Sequence, residues 1–189
     1  MRPLFVLLAA LLLSAPWGAR AQVLPLGPDG RAELLEVVRA DSLTAGQLFA
    51  RAEGWLRRRG YALALADSAA GRLEATHAFG LYDRGYVSKR LHGQVRYGLT
   101  VEVKPGRYRL RLHNFVFAYY QEDRTGRFVP TGKTRPLENP AAPGWQKLWE
   151  SHRHDTLLTA TRLAAELKAA MRAVPKAPVV AQRPLPTDW

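Results

Sequence analysis

Apolar residues recur at every second position through Val95, Tyr97, Leu99, Val101 and Val103, against Gln94, Arg96, Gly98, Thr100, Glu102 and Lys104. After Pro105-Gly106 the pattern returns, with Tyr108, Leu110 and Leu112 on one side and Arg107, Arg109, Arg111 and His113 on the other. A period of two is that of a strand, so the pair predicts an antiparallel hairpin with one buried and one wet face. An L-proline cannot take the positive φ of a two-residue type I′ or II′ turn. A longer loop or a bulge is therefore expected at Pro105-Gly106. At Asn114 the alternation breaks, and Phe115, Phe117 and Tyr119 are expected to continue the face that had been arginine.

Upstream, Arg31 to Ala40 reads as a partly exposed strand, preceded by a turn-rich leader that ends in Asp29-Gly30. Thr44 and Gln47 form a T-x-x-Q capping box, with Leu43 and Leu48 placed as a hydrophobic staple, so a helix starts near Ala45. Leu48, Phe49, Ala52, Trp55 and Leu56 give that helix one apolar stripe, and Arg57, Arg58 and Arg59 suit its negative end before Gly60 stops it. Tyr61 to Ala66 is a short strand, and Arg72 to Leu81 alternates with Leu73, Ala75, His77, Phe79 and Leu81 on one face. Tyr82 to Leu91 reads as a loop. Tyr120 to Gly144 carries four prolines and is expected to be a long surface connection with one extra short strand near Phe128. A last helix runs through Trp145 to Met171, and Asp155-Thr156 could cap a second start inside it. The prolines from Pro175 onward make 173–189 a disordered tail. The order strand, helix, four strands, helix predicts an α+β domain over 31–172: a single antiparallel sheet with two helices packed on one face.

The N-terminus changes the picture from any soluble domain to an exported one. Arg2, the unbroken apolar run Leu4 to Leu13 and the small-x-small triplet Ala19-Arg20-Ala21 are the three parts of a signal peptide, 1–21, with Gln22 opening the mature leader, 22–30. No second hydrophobic span follows, so no transmembrane anchor is expected after cleavage, and the protein should be periplasmic or secreted. Cys is absent, so neither a disulfide nor a lipoprotein thioether is available. The excess of 28 Lys and Arg over 16 Asp and Glu gives a formal charge of +12. In the cytoplasm that would suggest nucleic acid. After export the partners left are an anionic envelope component, such as lipid headgroups or lipopolysaccharide, or an acidic protein. A hydrated basic surface that maintains solubility would have the same composition.

Leu24-Pro25-Leu26 with Asp29-Gly30, the helix segments Leu48-Phe49-Ala50-Arg51-Ala52 and Trp55-Leu56, and above all Val101-Glu102-Val103-Lys104-Pro105-Gly106-Arg107-Tyr108-Arg109 resemble the domain of unknown function 4468 family. That family comprises exported bacterial proteins with a TATA-binding-protein-like fold. The resemblance implies the same α+β fold. It implies no catalytic residues, and DNA binding is not inherited from the fold's best-known member, since function belongs to sites and not to folds.

The chain offers little chemistry. It has no G-x-S-x-G elbow, no glycine-rich phosphate loop and no cofactor motif, so neither an enzyme nor a cofactor is supported. Of the five histidines only His152 and His154 are close in sequence, and an i, i+2 pair on a helix points about 200° apart, the wrong geometry for one metal. His77 falls on the apolar side of its strand as a hydrogen-bonded core residue, and His113 is expected to be exposed beside the arginines. A surface reading remains. Arg107, Arg109 and Arg111, with Arg96 on the neighbouring strand, would form a basic ladder on the open sheet face, extended by Phe115, Phe117 and Tyr119. The plainer alternative pairs Glu102 with Arg109 and leaves the rest a hydrated face. Two functions follow: a non-catalytic binding or assembly module using the open face, or a carrier of a small apolar or amphipathic ligand between sheet and C-terminal helix, where Trp145, Trp149 and Tyr97 would line a cleft.

Overall fold

A computed structural model of the chain describes residues 24–83 and 90–172. The expected signal peptide, the expected tail and most of the expected 82–91 loop lie outside them. The elements run β1 (Glu33–Arg39), α1 (Ala45–Arg58), β2 (Ala62–Asp67), β3 (Arg72–Asp83), β4 (Arg90–Lys104), β5 (Arg107–Glu122), β6 (Phe128–Pro136) and α2 (Gln146–Arg172). This is the expected α+β order, and the extra strand expected near Phe128 is β6.

The capping box starts α1 at Ala45: the Gln47 amide donates to Thr44 Oγ1 at 3.2 Å and the Thr44 amide to Gln47 Oε1 at 3.0 Å. All strands join one antiparallel sheet in the order β1-β5-β4-β3-β2, and β6 also pairs with β5. β1 takes the first half of β5, from Arg107 to His113, and β6 the second, from Val116 to Glu122. The two short strands thus lie end to end along one edge of a long one. Leu73 and Ala75 of β3, Val95, Tyr97, Leu99, Val101 and Val103 of β4, and Tyr108, Leu110 and Leu112 of β5 are buried against the helices. The two helices lean on each other, and Arg51 of α1 donates to the Met171 carbonyl at the end of α2 at 2.6 Å.

Three expectations are corrected. The hairpin turn needs no longer loop, because Lys104 pairs directly with Arg107. Pro105 followed by Gly106 at φ 71° is the residue order of a type II turn. This turn fits strand twist poorly, and it is held from outside: the Ala40 amide donates to the Gly106 carbonyl at 2.8 Å and the Gly106 amide to the Leu43 carbonyl at 3.1 Å. Second, α2 is not split at Asp155. Trp149, His152, Thr156, Ala160, Ala164, Leu167 and Met171 are all buried, an unbroken stripe at spacings of three and four that passes through the candidate break.

The third correction concerns Asn114, the one non-glycine residue with positive φ among the described residues, at 55°. Arg96 pairs with Val116 and Gly98 with His113, so two residues of β5, Asn114 and Phe115, oppose Tyr97 alone. This is a bulge, and it resets the alternation. Phe115 and Phe117 turn inward and are fully buried, while Tyr119 is half-buried and packs edge-on against Phe117. The aromatic run therefore joins the core and does not extend the arginine face.

Candidate functional site

The face of the sheet away from the helices is open, and the register sets its side chains in rows. Glu33, His113, Gly98 and Thr76 form one row; Leu35, Arg111, Thr100 and Glu74 the next; then Val37, Arg109, Glu102 and Arg72; and last Arg39, Arg107 and Lys104 beside the turn. The arginine ladder on β5 exists as expected, and its neighbours decide what it can do.

Its two inner members are paired. Arg109 bonds Glu102, as the plainer reading expected, and Arg72 bridges Glu74 at 2.5 Å and Glu102 at 3.6 Å. Arg111 donates to Glu33 at 2.8 Å, and Glu33 is almost buried. The exposed pairs of Arg72 and Arg109 contribute about 0–1 kcal/mol each, so they tidy the surface more than they hold the fold. The outer row differs. Arg39, Arg107 and Lys104 are all exposed, stand abreast on three strands, and carry no ion pair among the described residues. Beside them Leu35 and Val37 of β1 are 48% and 66% exposed. Arg96 lies beyond the bulge, exposed and also without an ion pair among the described residues.

The open face carries a hollow of ≈ 240 Å³ at the outer row, lined by Val37, Glu102, Lys104, Arg107 and Arg109, and two larger ones. One hollow of ≈ 490 Å³ lies among Leu35, Arg72, Thr100, Glu102, Arg109 and Arg111. A second, of ≈ 480 Å³, is floored by Gly98, Thr100 and Val116 and flanked by Arg96 and His113. Gly98 is needed there, because a Cβ would sit 2.7 Å from His113 Cε1. His113 leans into that gap and meets Thr100 Oγ1 at 3.0 Å, so it is half-buried and not exposed as expected.

Burial holds the His113 imidazole below its ordinary 6.5, with Arg111 pushing the same way and Glu33 opposing. A group with a depressed folded value takes up its proton more readily in the unfolded chain, so its stabilising contribution is present above pH 6.5 and is lost as pH falls through the folded value. A His113→Gln variant should lose less stability than wild type between about pH 7 and pH 5, as read by urea midpoints. Parallel pH profiles would show that the imidazole does not titrate in that window.

The remaining candidate chemistry resolves into packing. His77 donates through Nδ1 to the Ala78 carbonyl at 2.7 Å and its ring lies 4.6 Å from Tyr61, so it is hydrogen-bonded as expected but half-buried at the margin of the core. His152 points inward and meets His92 at 3.0 Å between Nε2 and Nδ1, stacked on Phe117. His92 reaches it because a second bulge, between the Leu81–Gly93 and Tyr82–Leu91 pairs, turns it toward the helices. No three His, Asp or Glu side chains converge among the described residues. The arginines ending α1 are helix-end charge: Arg57 pairs with Glu53 at 2.7 Å and Arg59 with Glu166 of α2.

The expected carrier cleft is not formed by its named residues. Trp149 is buried and donates to the Asn139 carbonyl at 2.8 Å, while Trp145 is exposed. Tyr97 is buried with its hydroxyl 2.6 Å from that of Tyr61, and burial raises its pKa. Sequence reasoning missed Leu35, Val37 and Arg39 as parts of the open face, and it placed Lys104 on the wet side of the hairpin without counting it in the basic ladder. The alternation of Leu35, Val37 and Arg39 was visible, but their neighbours on β5 were not.

These features define the class: an antiparallel sheet backed by two helices, with one free face, the TBP-like fold. Residues 35–118 match the family described as "Domain of unknown function (DUF4468) with TBP-like fold", which bears out the resemblance carried by the Val101–Arg109 stretch. A crystal structure of a DUF4468 family protein from Bacteroides ovatus is similar at a TM-score of 0.63 and 17% identity, over 85% of this chain and 95% of that one. A TBP-like protein from Parabacteroides distasonis gives a TM-score of 0.61 at 12% identity, over 80% of this chain and 98% of that one. At such identities the likeness is one of fold. No curated protein matches the sequence.

Proposed function

We propose that this is an exported, non-catalytic binding module whose open sheet face contacts an acidic partner, either an acidic protein or an anionic envelope component. The observation that carries the reading is the outer row: Arg39, Arg107 and Lys104 stand side by side without a carboxylate, next to the exposed Val37. Like charges directly opposite across strands destabilise a sheet. The same face neutralises Arg72, Arg109 and Arg111 with Glu33, Glu74 and Glu102, so the unpaired row differs from the rows beside it. A rim of cations around apolar side chains suits an interface. Export rests on Arg2, Leu4 to Leu13 and Ala19-Arg20-Ala21, which support a cleaved signal peptide. Among the described residues no helix is long and apolar enough to cross a membrane.

The test is a charge reversal confined to the unpaired row. Lys104→Glu with Arg107→Glu should melt within a degree or two of wild type, since exposed positions shift stability by only about 0.5 kcal/mol. The variant should bind immobilised acidic protein or anionic vesicles at least tenfold more weakly than wild type. Equal, salt-sensitive binding by both would remove the open face from the reading. Arg109 and Arg111 are poorer targets, because reversing them would also strand Glu102 and Glu33.

A further inference from the structure

On the other side of the sheet, a cavity of ≈ 200 Å³ lies where the end of β1, the β1–α1 connection and the last turn of α2 meet. Val38, Ala40, Leu43 and Met171 give it an apolar body, and Arg51 and Arg172 supply two cations, with no carboxylate in the lining. Tyr108 lines it from β5. That residue is only 2% exposed, its hydroxyl is buried, and the hydroxyl has no hydrogen-bond partner. A buried hydroxyl left unpaired is costly, and native structures keep few of them.

The charged groups around this hydroxyl are asymmetric. Arg172 and Glu36 are the two that act on it. Glu36 is committed to Lys168 of α2 at 2.6 Å. Arg51 uses one nitrogen on the Met171 carbonyl at 2.6 Å, which leaves other N–H donors of its guanidinium. Tyrosine is protonated at neutral pH and burial raises its pKa further, so the hydroxyl is a donor as well as an acceptor. What is missing from the cavity is an anionic acceptor with a small apolar body.

We propose that this cavity binds a small aliphatic carboxylate, its charge held by the Tyr108 hydroxyl and the arginines at the mouth and its chain by Val38, Ala40, Leu43 and Met171. The volume holds roughly seven waters, which limits the chain to a few carbons. Lys104 and Arg107 are not in its lining, so reversing those two charges of the outer row leaves it intact.

Pentanoate is the probe, with pentan-1-ol as an uncharged match and decanoate as an oversized one, titrated into the full chain by calorimetry or ligand-observed NMR. Saturable binding of pentanoate is expected, with a Kd of about 1 mM, a value within reach of so small a ligand. Pentanol and decanoate should bind at least tenfold more weakly. Tyr108→Phe deletes only the orphan hydroxyl, so it should melt no lower than wild type while binding pentanoate about tenfold more weakly. Equal affinity of variant and wild type overturns the assignment, as does pentanol binding as well as pentanoate, or no saturation by about 10 mM.

Discussion

Inserting one residue after Asn114 should leave little folded protein. The bulge already takes up one extra residue of β5 opposite Tyr97, so a second one shifts the rest of the strand by a residue, which carries its whole side-chain set to the other face. Phe115 and Phe117, both fully buried, would then face water, and Val116 would face the helices. Burying a Phe is worth about 1.5–3 kcal/mol, so losing two approaches the whole stability of a typical domain, about 5–15 kcal/mol. Asn114→Val keeps the register but places a β-branched residue at φ 55°, for about 1–3 kcal/mol of strain. Asn114→Gly should be tolerated, because glycine accepts that φ freely. Guanidinium midpoints and near-UV circular dichroism of the three variants would rank them. An insertion variant as stable as Asn114→Gly would mean that the bulge does not set the inward face.

Val101→Asp and Leu110→Asp should be nearly as damaging. The two residues are paired across β4 and β5, and both are fully buried. An ionised carboxylate forced there costs several kcal/mol, or must take up a proton to stay. Arg107→Asp, on the opposite face and exposed, is the matched control and should shift stability by no more than about 0.5 kcal/mol. Thr100 is a worse control than its position on the open face implies, because it is buried in the hollow and bonded to His113. Soluble yield and urea denaturation decide. If Val101→Asp and Arg107→Asp were equally stable, the face assignment would fail.

What could be read from the sequence was local or periodic. The Thr44–Gln47 box, the two faces of Val95 to Leu112 and the stripe of α2 each follow from neighbours within a turn or a strand, and all three stand in the structure. Asn114 shows where this stops. The break in alternation was visible, and Asn is one of the few residues that tolerates positive φ, but the sign of one dihedral decides which way the next four side chains point. His92 was re-aimed by the same kind of bulge and with even less local signal. The candidate site was half legible for a different reason. Arg107, Arg109 and Arg111 could be placed on one face, whereas which of them lose their charge to a carboxylate depends on strand neighbours brought from far along the chain. Glu102 is close enough to be foreseen as a partner of Arg109. Glu33 is not, and neither is the unpaired row that includes Arg39.

The pairing of β1 with β5 also sets a clock on biosynthesis. Glu33 and its partner Arg111 are 78 residues apart, and β1 has no other strand among the described residues to pair with. At a translation rate of roughly 5–20 residues per second, the first strand waits about 4–16 s for its partner to be made. During that interval the nascent chain has a capped helix and a hairpin to form but cannot close its sheet, so its compact state is reached only after most of the chain has been made.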